Sequence, residues 1–155
     1  LVCTPCTPLL TVFCYYESSD EAIWYPYVLS GVDLNMDRGA ILKKYGPGST
    51  DNAQLHIEYQ EQDGSKLIRT AAGFFLPWLP PKSWKRQEAE ERAASITFGN
   101  DDFFIAGEWE AGAVNDADYP DGFYQYLNAE RDYCFKISSV GGPYSLIPHF
   151  EILGK

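Results

Sequence analysis

The final stretch of the chain restricts its possible folds more than any other. Tyr133, Phe135 and Ile137 alternate with Cys134, Lys136 and Ser138, and the alternation resumes with Phe150 and Ile152 against His149 and Glu151. A period of two marks a strand with one buried face. Between the two segments stand Gly141, Gly142 and Pro143. Glycine accepts positive φ and proline fixes φ for a return strand, so a β-hairpin turning at Gly141-Gly142-Pro143 is predicted. Pro148 has no N–H to give to a ladder, which puts the return strand at an edge or a bulge there. An edge strand is also a place where another subunit can add.

The rest of the chain has the same character. At 155 residues it can bury one core of ordinary size, so a single domain over 1–155 is expected. Its 11 Tyr, 9 Phe and 4 Trp favour strands, and its 13 Gly and 10 Pro favour frequent turns. Leu9 to Tyr16 reads as a first strand, Ala22 to Leu29 as a strand bent or at an edge around Pro26, and Val32 to Met36 as a third. Tyr45-Gly46-Pro47-Gly48-Ser49 is loop chemistry. In Ala53 to Gln60, Leu55, Ile57 and Tyr59 alternate strictly with polar residues, which turns His56 toward water or a partner. Asp63-Gly64 then predicts a turn, with Lys66 to Thr70 as the returning strand.

From Phe74 the pattern changes. Phe74, Phe75, Trp78 and Trp84 are interleaved with Pro77, Pro80 and Pro81, a sequence incompatible with a central strand or a helix. Lys85 to Ala94 is rich in helix formers but has no apolar stripe, which predicts a surface helix. Together they form an inserted loop and helix at about 74–94. Strands are expected again at Ser95 to Phe98 and from Asp102 to Trp109, followed by a small acidic loop from Ala111 to Asp118. Phe123, Tyr126 and Leu127 fall at helical spacing after Asp121, a plausible N-cap. The sum is a mostly-β fold of about seven to nine strands, a small antiparallel barrel or sandwich, with a long Pro/Trp-rich loop and two short helices.

Composition excludes several functions. A net charge of −10 opposes a duplex-DNA reader, which gains its affinity by neutralising phosphates, but does not exclude a wall past which DNA slides without sticking. No apolar run approaches the length of a membrane span. The chain begins Leu1-Val2 without Met and without the basic flank of a signal peptide, so processing or a literally translated non-standard start is expected. Cys3 and Cys6 have C-x-x-C spacing, but no second pair follows and the two histidines are far apart in sequence. Free thiols in a reducing cytoplasm, with no metal or cofactor, are the expectation.

Each candidate chemistry has a plainer reading. Asp101, Asp102, Glu108, Glu110, Asp116, Asp118 and Asp121 lack the spacing of a calcium loop and read as a solvated acidic face. Glu108 with Glu151 could be a glycosidase pair, yet a chain with 22 acidic residues offers many such pairs. No nucleophile elbow or phosphate loop is present, and Cys134 in a strand reads as a small hydrophobe. The cluster Phe74, Phe75, Trp78 and Trp84 is either a contact surface or a satellite core under a proline-rich loop.

Several segments carry a resemblance: Leu79-Pro80-Pro81-Lys82-Ser83-Trp84; Ile96-Thr97-Phe98 with Asp102-Phe103-Phe104 and Gly107-Glu108-Trp109; Asp121 to Asn128; Ser138 to Tyr144 with Ile147 to Ile152; and, upstream, Tyr45-Gly46 with Asp51 to His56. From about Trp24 to its end the chain resembles an uncharacterised family encoded among the virion-assembly genes of long-tailed phages and prophages. The resemblance implies a non-enzymatic structural protein of the head-to-tail connector, in the stopper or head-completion layer. It further implies a homo-oligomeric ring between portal or adaptor and tail proteins, assembled in the host cytoplasm, through which DNA passes without sequence-specific contact. The resemblance supplies no catalytic residue. In that reading Phe74, Phe75, Trp78 and Trp84 leave the domain and contact neighbouring subunits or layers. The alternative is a monomeric binding module, carbohydrate-binding or immunity-type, acting through Trp78, Trp84 and Trp109; a hydrolase using acidic pairs is the third reading.

Overall fold

The computed structural model describes residues 9–36 and 53–155. The expectations for Cys3, Cys6 and Tyr45-Gly46-Pro47-Gly48-Ser49 lie outside those residues. Among the described residues the chain is mostly β and antiparallel. Its strands are β1 (Leu10–Glu17), β2 (Ala22–Leu29), β3 (Asp33–Met36), β4 (Ala53–Glu58), β5 (Gln60–Gln62), β6 (Ser65–Arg69), β7 (Phe75–Trp78), β8 (Phe103–Ala106), β9 (Val114–Asn115), β10 (Cys134–Tyr144) and β11 (His149–Gly154). Three helices accompany them, α1 (Pro81–Lys85), α2 (Ala89–Ala93) and α3 (Phe123–Glu130), with a 3-10 turn at Asp116–Asp118.

Eight strands form one sheet in the order β3-β4-β11-β10-β8-β1-β2-β9, and β5-β6-β7 form a second. The large sheet does not close, so the architecture is a layered, sandwich-like fold and not a barrel. β1 shows why. Leu10, Val12 and Cys14 point into the main core with Phe104, Phe135, Phe150 and Trp84, while Phe13 points the other way. There it stacks on Phe103 at 4.8 Å and meets Phe123 of α3 edge-on at 5.2 Å. A strand covered on both faces is largely apolar, which is the origin of the run from Leu9 to Tyr16, whose one non-aromatic polar residue, Thr11, donates its hydroxyl to Gly107 O. The middle layer is therefore the β10-β8-β1-β2 region, with α3 on one side and the main core on the other.

Several local expectations hold. β2 has the predicted bounds, and Pro26 lies beyond the reach of β9, which pairs only with Ile23 and Trp24. β4 buries Ala53, Leu55 and Ile57 and turns Gln54, His56 and Glu58 outward. Asp63 (φ 53°) and Gly64 (φ 82°) turn the chain from β5 into β6.

The inserted segment is where local reading fails most. Phe75–Trp78 pairs with β6, and Pro77 is tolerated because β7 has no second ladder partner, only a single bridge from Trp78 to Ile96. The expected Lys85–Ala94 helix is instead two helices. α1 starts at Pro81, and α2 opens with a capping box in which Glu88 and Glu91 exchange side-chain and backbone hydrogen bonds. Neither lies loosely on the surface. Trp84 is fully buried, and the Arg92 guanidinium lies 3.5 Å over the ring of Tyr16 and donates through Nε to Tyr25 Oη at 3.2 Å. A buried arginine stacked on tyrosines supplies the anchoring that an apolar stripe would otherwise give. Ser95 to Phe98 is not a strand beyond the Ile96 bridge, although Ile96 and Phe98 are core residues.

The carboxylate at the start of α3 belongs to Asp116, not Asp121. Asp116 Oδ1 accepts from the Phe123 backbone N–H and from Trp24 Nε1, both at 2.9 Å, and so ties the helix to β2. Gly122 occupies the N-cap position itself at φ 98°.

Candidate functional site

The terminal hairpin exists, but its turn lies later than the glycines. β10 continues through Gly141, Gly142 and Pro143 to Tyr144, and the turn is Ser145 to Pro148. The ladder register slips between Gly141 and Tyr144, so the Gly-Gly-Pro triplet is an irregularity inside a strand. Gly142 has φ 103°, and a Cβ there would sit 3.0 Å from both His149 O and Tyr144 N. The conformational demand that suggested a turn is real, and the bulge satisfies it. β11 is central, between β4 and β10, and Pro148 does not interrupt it because it belongs to the turn.

The turn itself projects two aliphatic side chains. Leu146 is 96% exposed and Ile147 70%. Its base is fixed: Tyr59 donates through Oη to Tyr144 O at 2.8 Å and through its backbone N–H to Pro148 O at 3.3 Å. Adjacent large aliphatics held out on an anchored turn are costly to leave in water, which makes this turn a candidate contact site. Sequence reading passed over them. The available signal was the Leu146-Ile147 pair bracketed by Pro143 and Pro148, a place where no ladder could bury both.

Behind the projection, on the outer face of β3, β4 and β11, lie both histidines of the chain. Cross-strand register sets Asp33 opposite His56 and His56 opposite Glu151, with Glu58 opposite His149 one step along. The two imidazoles, distant in sequence, have ring centroids 5.8 Å apart. His149 Nε2 is 3.1 Å from Glu151 Oε2, and His149 Nδ1 is 2.6 Å from Ile147 O. His56 Nε2 is 3.8 Å from Glu151 Oε1 and Nδ1 is 4.0 Å from Asp33 Oδ2, within electrostatic reach but beyond hydrogen bonding. The hydrogen bonds to Ile147 O and then to Glu151 hold the His149 pKa above its ordinary value. Tyr144 stacks on the His149 ring at 5.0 Å.

A second apolar projection lies at the β6–β7 turn. Phe74 is 58% exposed and Phe75 39%. Phe74 borders a groove of about 490 Å³ lined with Leu9, Pro26, Val28, Thr70 and Leu76. The expectation that the whole segment Phe74 to Trp84 leaves the domain is overturned. Trp78 is half-buried with its ring 5.0 Å from Phe150, and Trp84 is buried against Tyr25 with Nε1 donating to Arg92 O at 3.3 Å. The prolines leave this segment one ladder, and that ladder is enough to fold it back so that its tryptophans complete the core. Of the four, Phe74 and Phe75 are exposed, Trp78 is half-buried and Trp84 is fully buried. The platform expected of a binding module loses Trp84 to the core, and Trp109 is half-buried, edge-on to Phe13 and Phe123.

The acidic residues do not converge. Asp102 is buried and accepts backbone hydrogen bonds from Tyr15 (2.9 Å) and Gly99 (2.8 Å); burial pushes its pKa up to about 7. Asp101 pairs with Lys85 at 2.8 Å, and Asp116 serves α3. Glu108 borders the Phe74 groove, while Glu151 belongs to the histidine row. No group of three or more His, Cys, Asp or Glu with metal-holding geometry occurs among the described residues. Cys14 and Cys134 are both buried, and burial pushes the Cys14 pKa up. No helix among the described residues is long and apolar enough to cross a membrane.

The model of a family of unknown function (DUF6751) matches residues 7–155. The chain belongs to that family. No curated protein and no solved structure matches it. The match takes in both apolar projections and the histidine row, so the candidate surfaces lie on the family's own domain.

Proposed function

We propose that this member of the family is a structural virion protein of the phage neck, forming a ring layer of stopper or head-completion type between head and tail around the DNA channel. The observation that carries the reading is the pair of unlike apolar projections on one β-domain, Leu146-Ile147 at one turn and Phe74-Phe75 beside a groove at another. A closed ring joins each subunit to the next head to tail, and so needs two different patches on every copy. The resemblance of the segments from Leu79 to Trp84 and from Ser138 to Ile152 to virion-assembly proteins supports the same assignment. The charge of −10 supports it too, since an acidic lumen repels phosphates and lets the genome pass without sequence-specific contact.

In this reading the chain works without catalysis or cofactor. Its partners are its own copies, the portal or adaptor below and the tail proteins above, and its place is the virion assembled in the host cytoplasm. Quantitative mass spectrometry of gradient-purified particles tests the assignment. The chain should be present at a low, fixed copy number relative to the portal protein, and particles made without it should accumulate as filled heads without tails. Tailed, infectious particles lacking the chain would overturn the reading.

A further inference from the structure

The contacts of His149 ask for more protons than a neutral imidazole has. Its Nδ1 faces Ile147 O at 2.6 Å, and a backbone carbonyl only accepts. Its Nε2 faces Glu151 Oε2 at 3.1 Å, and an ionised carboxylate also only accepts. Both bonds exist together only when the His149–Glu151 pair carries one proton more than neutral imidazole plus carboxylate. With a carboxylate as partner, that proton rests on the ring. The bond to Ile147 O spans Pro148 and so ties the last half of the turn, where the exposed Ile147 sits next to Leu146, to the first residue of β11.

We propose that His149, as an imidazolium clamped between Ile147 O and Glu151, is a proton-operated clasp that holds the Leu146-Ile147 turn in one shape, and that its deprotonation releases the turn. The charged groups around it favour the closed form. Glu151 on β11 and Glu58 on β4 both hold the His149 proton. Asp33 on β3 and the second histidine, His56 on β4, complete the row, and Tyr144 on β10 covers one face of the ring. Because the folded pKa is raised, the clasp's contribution is complete below the ordinary histidine value of 6.5 and is lost as pH rises through the folded value. The inference goes beyond the ring reading: it concerns a property of the isolated chain and can fail while that reading survives.

Long-range ¹H–¹⁵N NMR of the His56→Gln variant, which leaves one histidine to follow, tests it together with amide exchange at Leu146 and Ile147. The His149 ring should titrate above 6.5 from a doubly protonated form. Across the same transition, tip exchange corrected for intrinsic base catalysis should accelerate on the order of tenfold, as expected for loss of one charge-assisted hydrogen bond. Glu151→Gln should lower the transition, and His149→Gln should abolish the step while leaving the exchange of β4 amides unchanged. A His149 pKa at or below 6.5, or tip exchange with no step at the transition, would overturn the proposal.

Discussion

The indole of Trp84 meets the ring of Tyr25 edge-on, with centroids 5.5 Å apart and planes at 89°. This contact turns a proline-rich stretch into part of the main core and pins α1 over the large sheet. Replacing Trp84 by Ala should therefore destabilise the isolated chain by about 3 to 5 kcal/mol, the usual cost of emptying a large buried site. Urea unfolding followed by circular dichroism measures it. A loss below 1 kcal/mol, as a rough threshold, would mean that the indole is not packed as described.

Gly142 makes a second, separable demand. Its φ of 103° and the 3.0 Å approaches to His149 O and Tyr144 N leave no room for a side chain. Gly142→Val should cost about 1 to 3 kcal/mol. Gly141, whose added Cβ would meet the movable end of the Tyr144 side chain, should tolerate Ala better. Equal melting temperatures for Gly142→Val and the unsubstituted chain would count against the bulge.

Asp102 gives stability a pH slope. Its folded pKa, about 7, lies above the ordinary 3.8, so the folded state holds the proton more tightly than the unfolded chain. The sign follows: the contribution of this group is greatest below 3.8, declines as pH rises through the interval to about 7, and is then constant. Asp102→Asn should flatten stability over that interval. Asp102→Ala, which strips the Tyr15 and Gly99 N–H groups of their acceptor, should lose about 1 to 3 kcal/mol. Denaturation curves at several pH values report both, and a slope unchanged in the Asn variant would reject the account.

The two projections should matter to assembly and not to folding. Leu146→Ser with Ile147→Ser removes side chains already in water, so unfolding should shift by no more than about 0.5 kcal/mol, while joining of heads to tails fails. Phe74→Ser with Phe75→Ser should act on the same joining step from the opposite patch. A large loss of monomer stability in the first pair would place the turn in the core.

What was legible in the sequence was what strand periodicity and turn chemistry determine locally. β2, the alternation of β4, the Asp63-Gly64 turn and the terminal hairpin all follow from side chains within a few residues of each other. What escaped depends on contacts distant in sequence. Asp116 replaces Asp121 at the start of α3 because it also reaches Trp24, and Arg92 buries a helix without an apolar stripe because Tyr16 and Tyr25 receive it. The histidine row was hidden for the same reason. His56 and His149 look unrelated until β4 and β11 pair and set Glu151 opposite His56. In the Gly-Gly-Pro triplet the need for positive φ was recognised, but a bulge and a turn make the same local demand, and only the register of β10 against β11 distinguishes them.

Cryo-electron microscopy of the intact particle, with the head-to-tail junction reconstructed at side-chain detail, tests the central claim most directly. The account predicts a closed ring of this chain around the DNA path, with Leu146 and Ile147 of each copy buried against a neighbouring subunit or layer and Trp84 inside its own domain. Particles whose neck contains no such ring, or a ring in which the Ser145 to Pro148 turn and Phe74 both face open solvent, would contradict it.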